Sequence, residues 1–159
     1  MKILTKLALA AIIAIVAHAA HAQVTVKHLQ TEKSPIAAGV WAGDTLYLSG
    51  QLASPIDPKA EKLEYGDTER QAFSVFTKIQ GLLKEQGLDM KDVVKMTVFL
   101  AGDPNKGNKL DFPGLQASYT KFFGTNDQPN KPARSAVQVA ALAAPWALLE
   151  VEVIAVKSK

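Results

Sequence analysis

The chain has 159 residues, 48% hydrophobic and 21% charged side chains, no cysteine and a formal net charge of +3. This length and apolar content are typical of one folded domain and exclude an intrinsically disordered protein. The lack of cysteine excludes disulfide scaffolds, cysteine-ligated zinc, iron–sulfur clusters and thiol nucleophiles.

The first 22 residues are predicted to form a secretory signal peptide. Lys2 and Lys6 give a positive n-region, residues 7–16 are apolar, and Ala20-His21-Ala22 has the small-residue pattern of a cleavage site. The apolar run is shorter than the ~20 residues of a membrane-spanning helix. We therefore expect a periplasmic or secreted protein with no membrane association after cleavage, and an uncleaved interfacial anchor is the alternative.

Removal of this segment would lower the net charge of the protein. Lys and Arg drop from 18 to 16 against 15 Asp and Glu, so residues 23–159 carry +1. Nucleic-acid binding needs a sustained basic surface, and a net charge of +1 does not favour such a function. His28 is the one remaining histidine, and neither an acidic loop nor a phosphate-binding glycine motif occurs. We expect chemistry that uses no metal and no organic cofactor.

Residues 23–159 read as one domain with the element order β-ββ-α-β-α-ββ. The predicted strands cover residues 24–29, 40–42, 45–49, 92–100, 135–142 and 147–156. One predicted helix covers residues 69–86, capped by Asp67 or Thr68 and closed by Gly87. The other begins at Pro113 and ends at Gly124. This order predicts an α+β fold in which two helices cover one face of a six-stranded mixed sheet, and the bare face favours self-association.

Arg134 is a candidate binding residue, because arginine is rare in this lysine-rich chain. Arg70 is the only other arginine, and its place on the first helix is typical of a solvated charge. Arg134 lies where a loop enters a strand, and its guanidinium could bind a carboxylate through two parallel hydrogen bonds. A structural ion pair is the alternative.

Glu150 and Glu152 share one face of the last strand, because their spacing is two residues. The pair is either simply solvated or includes a carboxylate that positions water for catalysis. Ser49 and Gly50 end an earlier strand, where the glycine allows either a turn or close approach of the backbone.

Five segments resemble, in order, the Rid family of reactive intermediate deaminases, also called YjgF-like proteins, some of which carry an endoribonuclease label. They are residues 39–51, 92–100, 119–123, 132–140 and 150–155, and they cover nearly all of residues 25–157. The resemblance implies a chorismate-mutase-like fold and a homotrimer with its sheets packed inward and its active sites between subunits. It also implies cofactor-free hydrolysis of enamine and imine carboxylates, such as 2-aminoacrylate and 2-iminopropanoate, to 2-keto acids and ammonia.

The same resemblance assigns roles to particular residues. It implies that Arg134 holds the substrate carboxylate, that Glu150 positions water, and that Ser49 and Gly50 line the pocket. Tyr119 on the predicted second helix matches the tyrosine found at this position in the family.

Three pocket positions depart from the family. Ile36 takes the place of a tyrosine, Ala136 stands where cysteine is common, and Gln116 stands where asparagine is frequent. These changes make one wall more apolar. Our leading hypothesis is a secreted imine hydrolase; the alternatives are a non-catalytic trimer that binds a small carboxylate and a chaperone-like holdase.

Overall fold

A computed structural model describes residues 24–158, so the predicted signal peptide lies outside the described residues. The strands follow the predicted order. They are β1 (Val26–Leu29), β2 (Gly39–Ala42), β3 (Thr45–Gln51), β4 (Val93–Leu100), β5 (Ala133–Gln138) and β6 (Leu149–Val156). The helices are α1 (Thr68–Glu85) and α2 (Phe112–Tyr119), and short 3₁₀ turns occur at Met90–Asp92 and Pro104–Lys106.

All six strands form one mixed sheet in the order β1-β2-β3-β6-β4-β5. Only the pairing of β4 with β5 is parallel; the other neighbours are antiparallel. The predicted α+β architecture, with six strands and two helices, is therefore confirmed.

Helix α1 begins and ends within one residue of the predicted bounds, 69 and 86. The side chain of Asp67 accepts a hydrogen bond from the backbone N–H of Arg70 at 2.9 Å, so Asp67 rather than Thr68 is the cap. Gly87 follows the helix with a positive φ of 73°, a conformation that glycine adopts without steric cost. Ala72, Phe76, Ile79 and Leu83 on the apolar face of α1 are fully buried, and they form the core together with the helix-facing side of the sheet.

Strand β4 shows how the two sheet faces differ. Met96, Val98 and Leu100 point toward the helices and are fully buried. The residues between them, Thr97 and Phe99, point to the opposite face and are only partly covered within the chain. The expected arrangement, with both helices on one side and a bare sheet face on the other, is confirmed by this alternation.

Several predicted boundaries are wrong. The second helix ends at Tyr119 instead of Gly124, because the N–H groups of Lys121 and Phe122 bond to carbonyls only three residues back and tighten the chain into turns. Strand β5 stops at Gln138, and β6 begins at Leu149 rather than at residue 147.

The segment between β5 and β6 is a loop because its polar groups bond elsewhere. Pro145 has no N–H to give to a sheet ladder. The buried amide of Gln71 accepts a hydrogen bond from the Leu148 N–H at 2.9 Å and donates to the Trp146 carbonyl at 3.2 Å. The ring of Trp146 also stacks on Tyr65, with centroids 3.5 Å apart, and this contact joins the loop to the one that precedes α1.

Candidate functional site

Arg134 is the second residue of β5, an edge strand of the sheet. It pairs with Met96 of β4, whose side chain is buried under the helices, so Arg134 also lies on the helix-facing side. Ala136 pairs with Val98 and lies on the same side, half-buried against the core. The strand therefore directs the arginine toward the adjacent helix α2.

Helix α2 presents one polar and two aromatic side chains to this arginine. Phe112, Gln116 and Tyr119 are spaced by four and three residues and share one helix face. The guanidinium carbon of Arg134 lies 4.2 Å from the centroid of the Tyr119 ring and 5.6 Å from that of Phe112. These distances are typical of a guanidinium packed on an aromatic face, which fixes the orientation of its hydrogen-bonding edge.

Two buried polar atoms in this group have no hydrogen-bond partner. They are Nη1 of Arg134 and Oε1 of Gln116. The ion pairs among residues 24–158 join Lys106 to Asp111 and Lys121 to Glu69, so no described carboxylate neutralises Arg134. A buried donor without a partner is costly, and a bound ligand with a carboxylate would remove that cost. Of the two sequence-based readings of Arg134, the structural ion pair is not found among the described residues.

Tyr119 contributes a neutral ring to this arrangement. Burial raises the pKa of its phenol above 10.0, and the nearby charge of Arg134 opposes that rise. The phenol therefore stays protonated at neutral pH and does not compete with a ligand as a counter-ion for the arginine. We call Arg134, Ala136, Phe112, Gln116 and Tyr119 the arginine half-site.

A second group of predicted residues surrounds Glu150 on β6. A Cβ atom built on Gly50 would overlap the Glu150 carboxylate, so the missing side chain is what gives this carboxylate its place. The register between β3 and β6 shifts between Leu48 and Gln51, which brings Gly50 against Glu150. Glu150 is half-buried as a result.

Ser49, next to Gly50, anchors the loop between β1 and β2. Its hydroxyl donates a hydrogen bond to the Ala37 carbonyl at 2.7 Å, and its N–H donates to the Ala38 carbonyl at 3.0 Å. Ile36 precedes this tethered pair, and 63% of its surface is exposed. We call Ile36, Ser49, Gly50 and Glu150 the glutamate half-site.

The two half-sites lie on opposite faces of the sheet. Glu150 pairs with Phe99 and Arg134 pairs with Met96; these β4 residues are three apart, and odd spacing in a strand means opposite faces. Two strand spacings and three residues also separate them in the plane of the sheet, roughly 14 Å. One copy of the chain therefore does not bring Arg134 and Glu150 onto the same small ligand.

Residues 24–158 were also compared with the requirements of a metal site and of a membrane-spanning helix. Within residues 24–158 no three His, Cys, Asp or Glu side chains are grouped so that they could hold a metal ion. Neither α1 nor α2 is long and apolar enough to cross a membrane.

Comparison with known proteins settles the family. Residues 25–157 match the family described as endoribonuclease L-PSP. The chain belongs to the L-PSP family. This confirms the family predicted from the five sequence segments, since L-PSP is the label carried by Rid and YjgF-like proteins.

Relatives of this L-PSP chain carry more than one name. It is 37% identical over 123 residues to a RutC family protein of Pyrococcus horikoshii, a match that covers 77% of this chain and 87% of the relative. It is 38% identical over 136 residues to a Bos taurus protein named 2-iminobutanoate/2-iminopropanoate deaminase, with coverage of 82% and 90%. The structure of E. coli TdcF with bound serine matches with a TM-score of 0.65 and 32% identity, covering 83% of this chain and 99% of TdcF.

Sequence reasoning missed one member of the arginine half-site. Phe112 was not among the predicted site residues, although its ring lies within 5.6 Å of the guanidinium carbon of Arg134. A signal was present, because positions 112, 116 and 119 follow helical spacing and two of them were already candidates. The predicted helix begins at Pro113 and therefore does not include Phe112.

Proposed function

We propose that this chain is a cofactor-independent hydrolase that converts small enamine and imine carboxylates to 2-keto acids and ammonia. The observation that carries the proposal is the buried, unpartnered Nη1 of Arg134, whose guanidinium packs near the rings of Tyr119 and Phe112. A planar donor held in this way fits a planar carboxylate. The Bos taurus relative named as an iminobutanoate and iminopropanoate deaminase supports the assignment.

In the proposed reaction Arg134 binds the substrate carboxylate, and Oε1 of Gln116 accepts a hydrogen bond from the imine N–H. Glu150 orients a water molecule and takes one of its protons while the water oxygen bonds to the imine carbon. That proton then passes to the nitrogen and gives a carbinolamine. Glu150 next carries the hydroxyl proton of the carbinolamine to the amino group, and the carbon–nitrogen bond breaks as the carbon–oxygen double bond forms, which releases ammonia and the 2-keto acid. The imine carbon is already electrophilic, so orientation and one placed water supply most of the catalysis.

This reaction requires residues from two copies of the chain. Because Arg134 and Glu150 face opposite sides of one sheet, the proposed site pairs the arginine half-site of one copy with the glutamate half-site of a neighbour. A homotrimer that packs its bare sheet faces around a three-fold axis supplies such neighbours. That face also carries Tyr47 and Val137, two large side chains that are exposed in the single chain.

We also propose that the protein acts outside the cytoplasm, because residues 1–22 have the pattern of a secretory signal. Microscopy or fractionation of cells that express the full chain tests this proposal. Recovery of uncleaved protein in the cytoplasm alone would contradict it.

The proposed activity is tested by imine hydrolysis with the purified protein. An amino-acid oxidase generates the imines in place, and keto-acid release is followed with and without the protein. We expect Arg134→Ala to lower kcat/KM by about a hundredfold, the size of effect found when one partner of a buried charge pair is removed. Arg70→Ala is the matched control, because Arg70 is the only other arginine in the chain and lies on the exposed side of α1. Equal rates for wild type and Arg134→Ala would refute the proposed role.

A non-catalytic carboxylate-binding trimer is the second candidate function. The observation that favours it is Ile36, which brings no hydroxyl to the glutamate half-site at the position where the family has tyrosine. Calorimetry that shows saturable, Arg134-dependent binding of a keto acid, together with no acceleration of imine hydrolysis, would select this function.

A further inference from the structure

Each half-site carries one large apolar side chain that the chain itself leaves open to solvent. Ile36 is 63% exposed in the glutamate half-site, and Phe112 is 41% exposed in the arginine half-site. We infer that these two side chains form the pocket for the substrate's side chain, and that the preferred substrate is an imino acid with a bulky apolar group, such as the imine derived from leucine. The inference rests on the proposed function and adds the substrate class to it.

Phe112 is held beside the carboxylate-binding group by the start of α2. The Asp111 side chain accepts a hydrogen bond from the Gly114 N–H at 3.1 Å, and Pro113 fixes the first helical turn. The ring of Phe112 therefore stays next to the guanidinium of Arg134, with part of its surface uncovered. A substrate whose carboxylate binds Arg134 brings its side chain within reach of this ring.

Ile36 projects from a fixed turn. The Ser34 hydroxyl donates to the Ile36 carbonyl at 2.6 Å and accepts from the Ile36 N–H at 3.4 Å. The next residue, Ala37, is held by the hydroxyl of Ser49. The backbone on both sides of Ile36 is thus tied to polar groups, which fixes the point from which its exposed sec-butyl side chain projects.

The residues around the two apolar groups offer little to a polar substrate side chain. Ala136, next to Arg134 on the same strand face, has only a methyl group and leaves room. The hydroxyl proton of Ser49 is already donated to Ala37. In the proposed reaction Arg134 and Gln116 bind the carboxylate and the imine nitrogen and Glu150 holds the water, so Ile36, Phe112 and Ala136 are left to contact the substrate's side chain.

The expected preference follows from the size of the added group. A leucine-derived imine has three more carbon atoms than an alanine-derived one, and a single methylene in an apolar pocket is worth about tenfold or more in kcat/KM. We expect the wild-type protein to favour the leucine-derived imine by at least about tenfold.

The test compares these two imines, each generated by an amino-acid oxidase, on the wild-type protein and two variants. Ile36→Ser and Phe112→Ala should each lower the leucine-to-alanine ratio about fivefold or more. The change should fall mainly on KM, because an apolar contact remote from the reacting atoms binds substrate and transition state alike. The matched controls are Ile56→Ser and Phe73→Ala, which change side chains of similar exposure, 49% and 42%, outside both half-sites.

The outcomes separate this inference from the proposed function. Hydrolysis with equal rates for both imines, or with alanine preferred, would overturn the side-chain pocket and leave the hydrolase intact. If neither imine is hydrolysed, the hydrolase fails, and calorimetry with the two corresponding keto acids decides on the pocket. Tighter binding of the leucine-derived acid that is lost in Ile36→Ser supports it, and equal affinities overturn it.

Discussion

The carboxylate of Glu150 occupies the space in which any side chain at position 50 would have to lie, so Gly50 is what allows the glutamate to sit where it does. A methyl group there forces the carboxylate to move. We expect Gly50→Ala to lower kcat for imine hydrolysis by about a hundredfold, since misplacement of a catalytic group by about 1 Å has this order of effect. Steady-state kinetics on the purified variant measures the change.

The control for this variant is Gly81→Ala. Gly81 lies within α1, and a Cβ there would meet no atom within 4 Å. Alanine is also the better helix former, so this substitution should keep full activity and raise the free energy of unfolding by about 1 kcal/mol. Loss of activity in both glycine variants would mean that position 50 has no special link to Glu150.

Glu150 and Glu152 provide a matched pair on one strand face. The two glutamates are separated by two residue positions on β6. Only Glu150 lies against the β3 bulge at Gly50, because Glu152 pairs with Thr97 and is exposed. We expect Glu150→Gln to lower kcat at least about a hundredfold, with a smaller change in KM, because the amide cannot accept the proton from water. Glu152→Gln should change kcat less than twofold, and the reverse order of effects would show that the wrong carboxylate has been assigned.

The separation of the half-sites predicts complementation between inactive variants. Arg134→Ala lacks one half-site and Glu150→Gln the other, so each alone should be nearly inactive. After the two proteins are unfolded, mixed and refolded together, some interfaces join an intact arginine half-site to an intact glutamate half-site. We expect a substantial fraction of the wild-type rate to return. A mixture that stays as inactive as its components would argue for a site within one copy.

The raised pKa of the Tyr119 phenol leads to a prediction for the pH dependence of carboxylate binding. Burial raises the pKa of this phenol above the ordinary value of 10.0, so the ring is neutral at and well above neutral pH. The affinity for pyruvate, measured by calorimetry, should therefore be constant between about pH 6 and about pH 9. It should fall only at higher pH, where the phenolate forms beside Arg134 and competes with the ligand.

Tyr119→Phe separates this explanation from others. It keeps the ring on which Arg134 packs and removes the titrating group, so affinity near pH 7 should be unchanged and the alkaline fall should disappear. A fall in affinity at the same pH in both proteins would assign the titration to a different group.

We expect the stability of the fold to be sensitive to replacement of Gln71. It is only 1% exposed and bonds to Gly66, Trp146 and Leu148, which lie in two separate loops. We expect Gln71→Ala to lower the free energy of unfolding by about 1 to 3 kcal/mol, since three backbone groups lose their partner in part-buried hydrogen bonds. Denaturant unfolding at fixed protein concentration measures the change.

Gln80→Ala is the appropriate comparison for that variant. Gln80 lies on the same helix, is half-buried and has no side-chain hydrogen bond to a described residue. Its replacement should change the free energy of unfolding by less than about 0.5 kcal/mol. Similar losses for both variants would show that helix α1, rather than the links to the loops, is responsible.

The local elements of the fold could be predicted because their signals lie close together in sequence. Asp67 marks the start of α1 and Gly87 its end, and the Gly43-Asp44 pair marks the turn between β2 and β3. The face that each residue of a strand occupies follows from alternation alone. Where such signals were weak, as in the loop between residues 139 and 148, the prediction extended strands too far.

The relations between distant segments could not be predicted in the same way. The packing of Arg134 on Tyr119 depends on how β5 lies beside α2, which no local pattern specifies. The approach of Gly50 to Glu150 depends on a one-residue shift in the pairing of β3 with β6. The choice of residues came from the family resemblance, but their division between two faces emerged only from the register of the strands.

That division has a consequence for when the protein becomes active. A single newly made chain has Arg134 on one side of its sheet and Glu150 on the other, and so contains no complete site. In the proposed hydrolase, assembly of copies is then the step that completes the site. If this hydrolase crosses a membrane one copy at a time, as the proposed signal peptide implies, it is inactive during transit and gains its activity only in the compartment where copies meet.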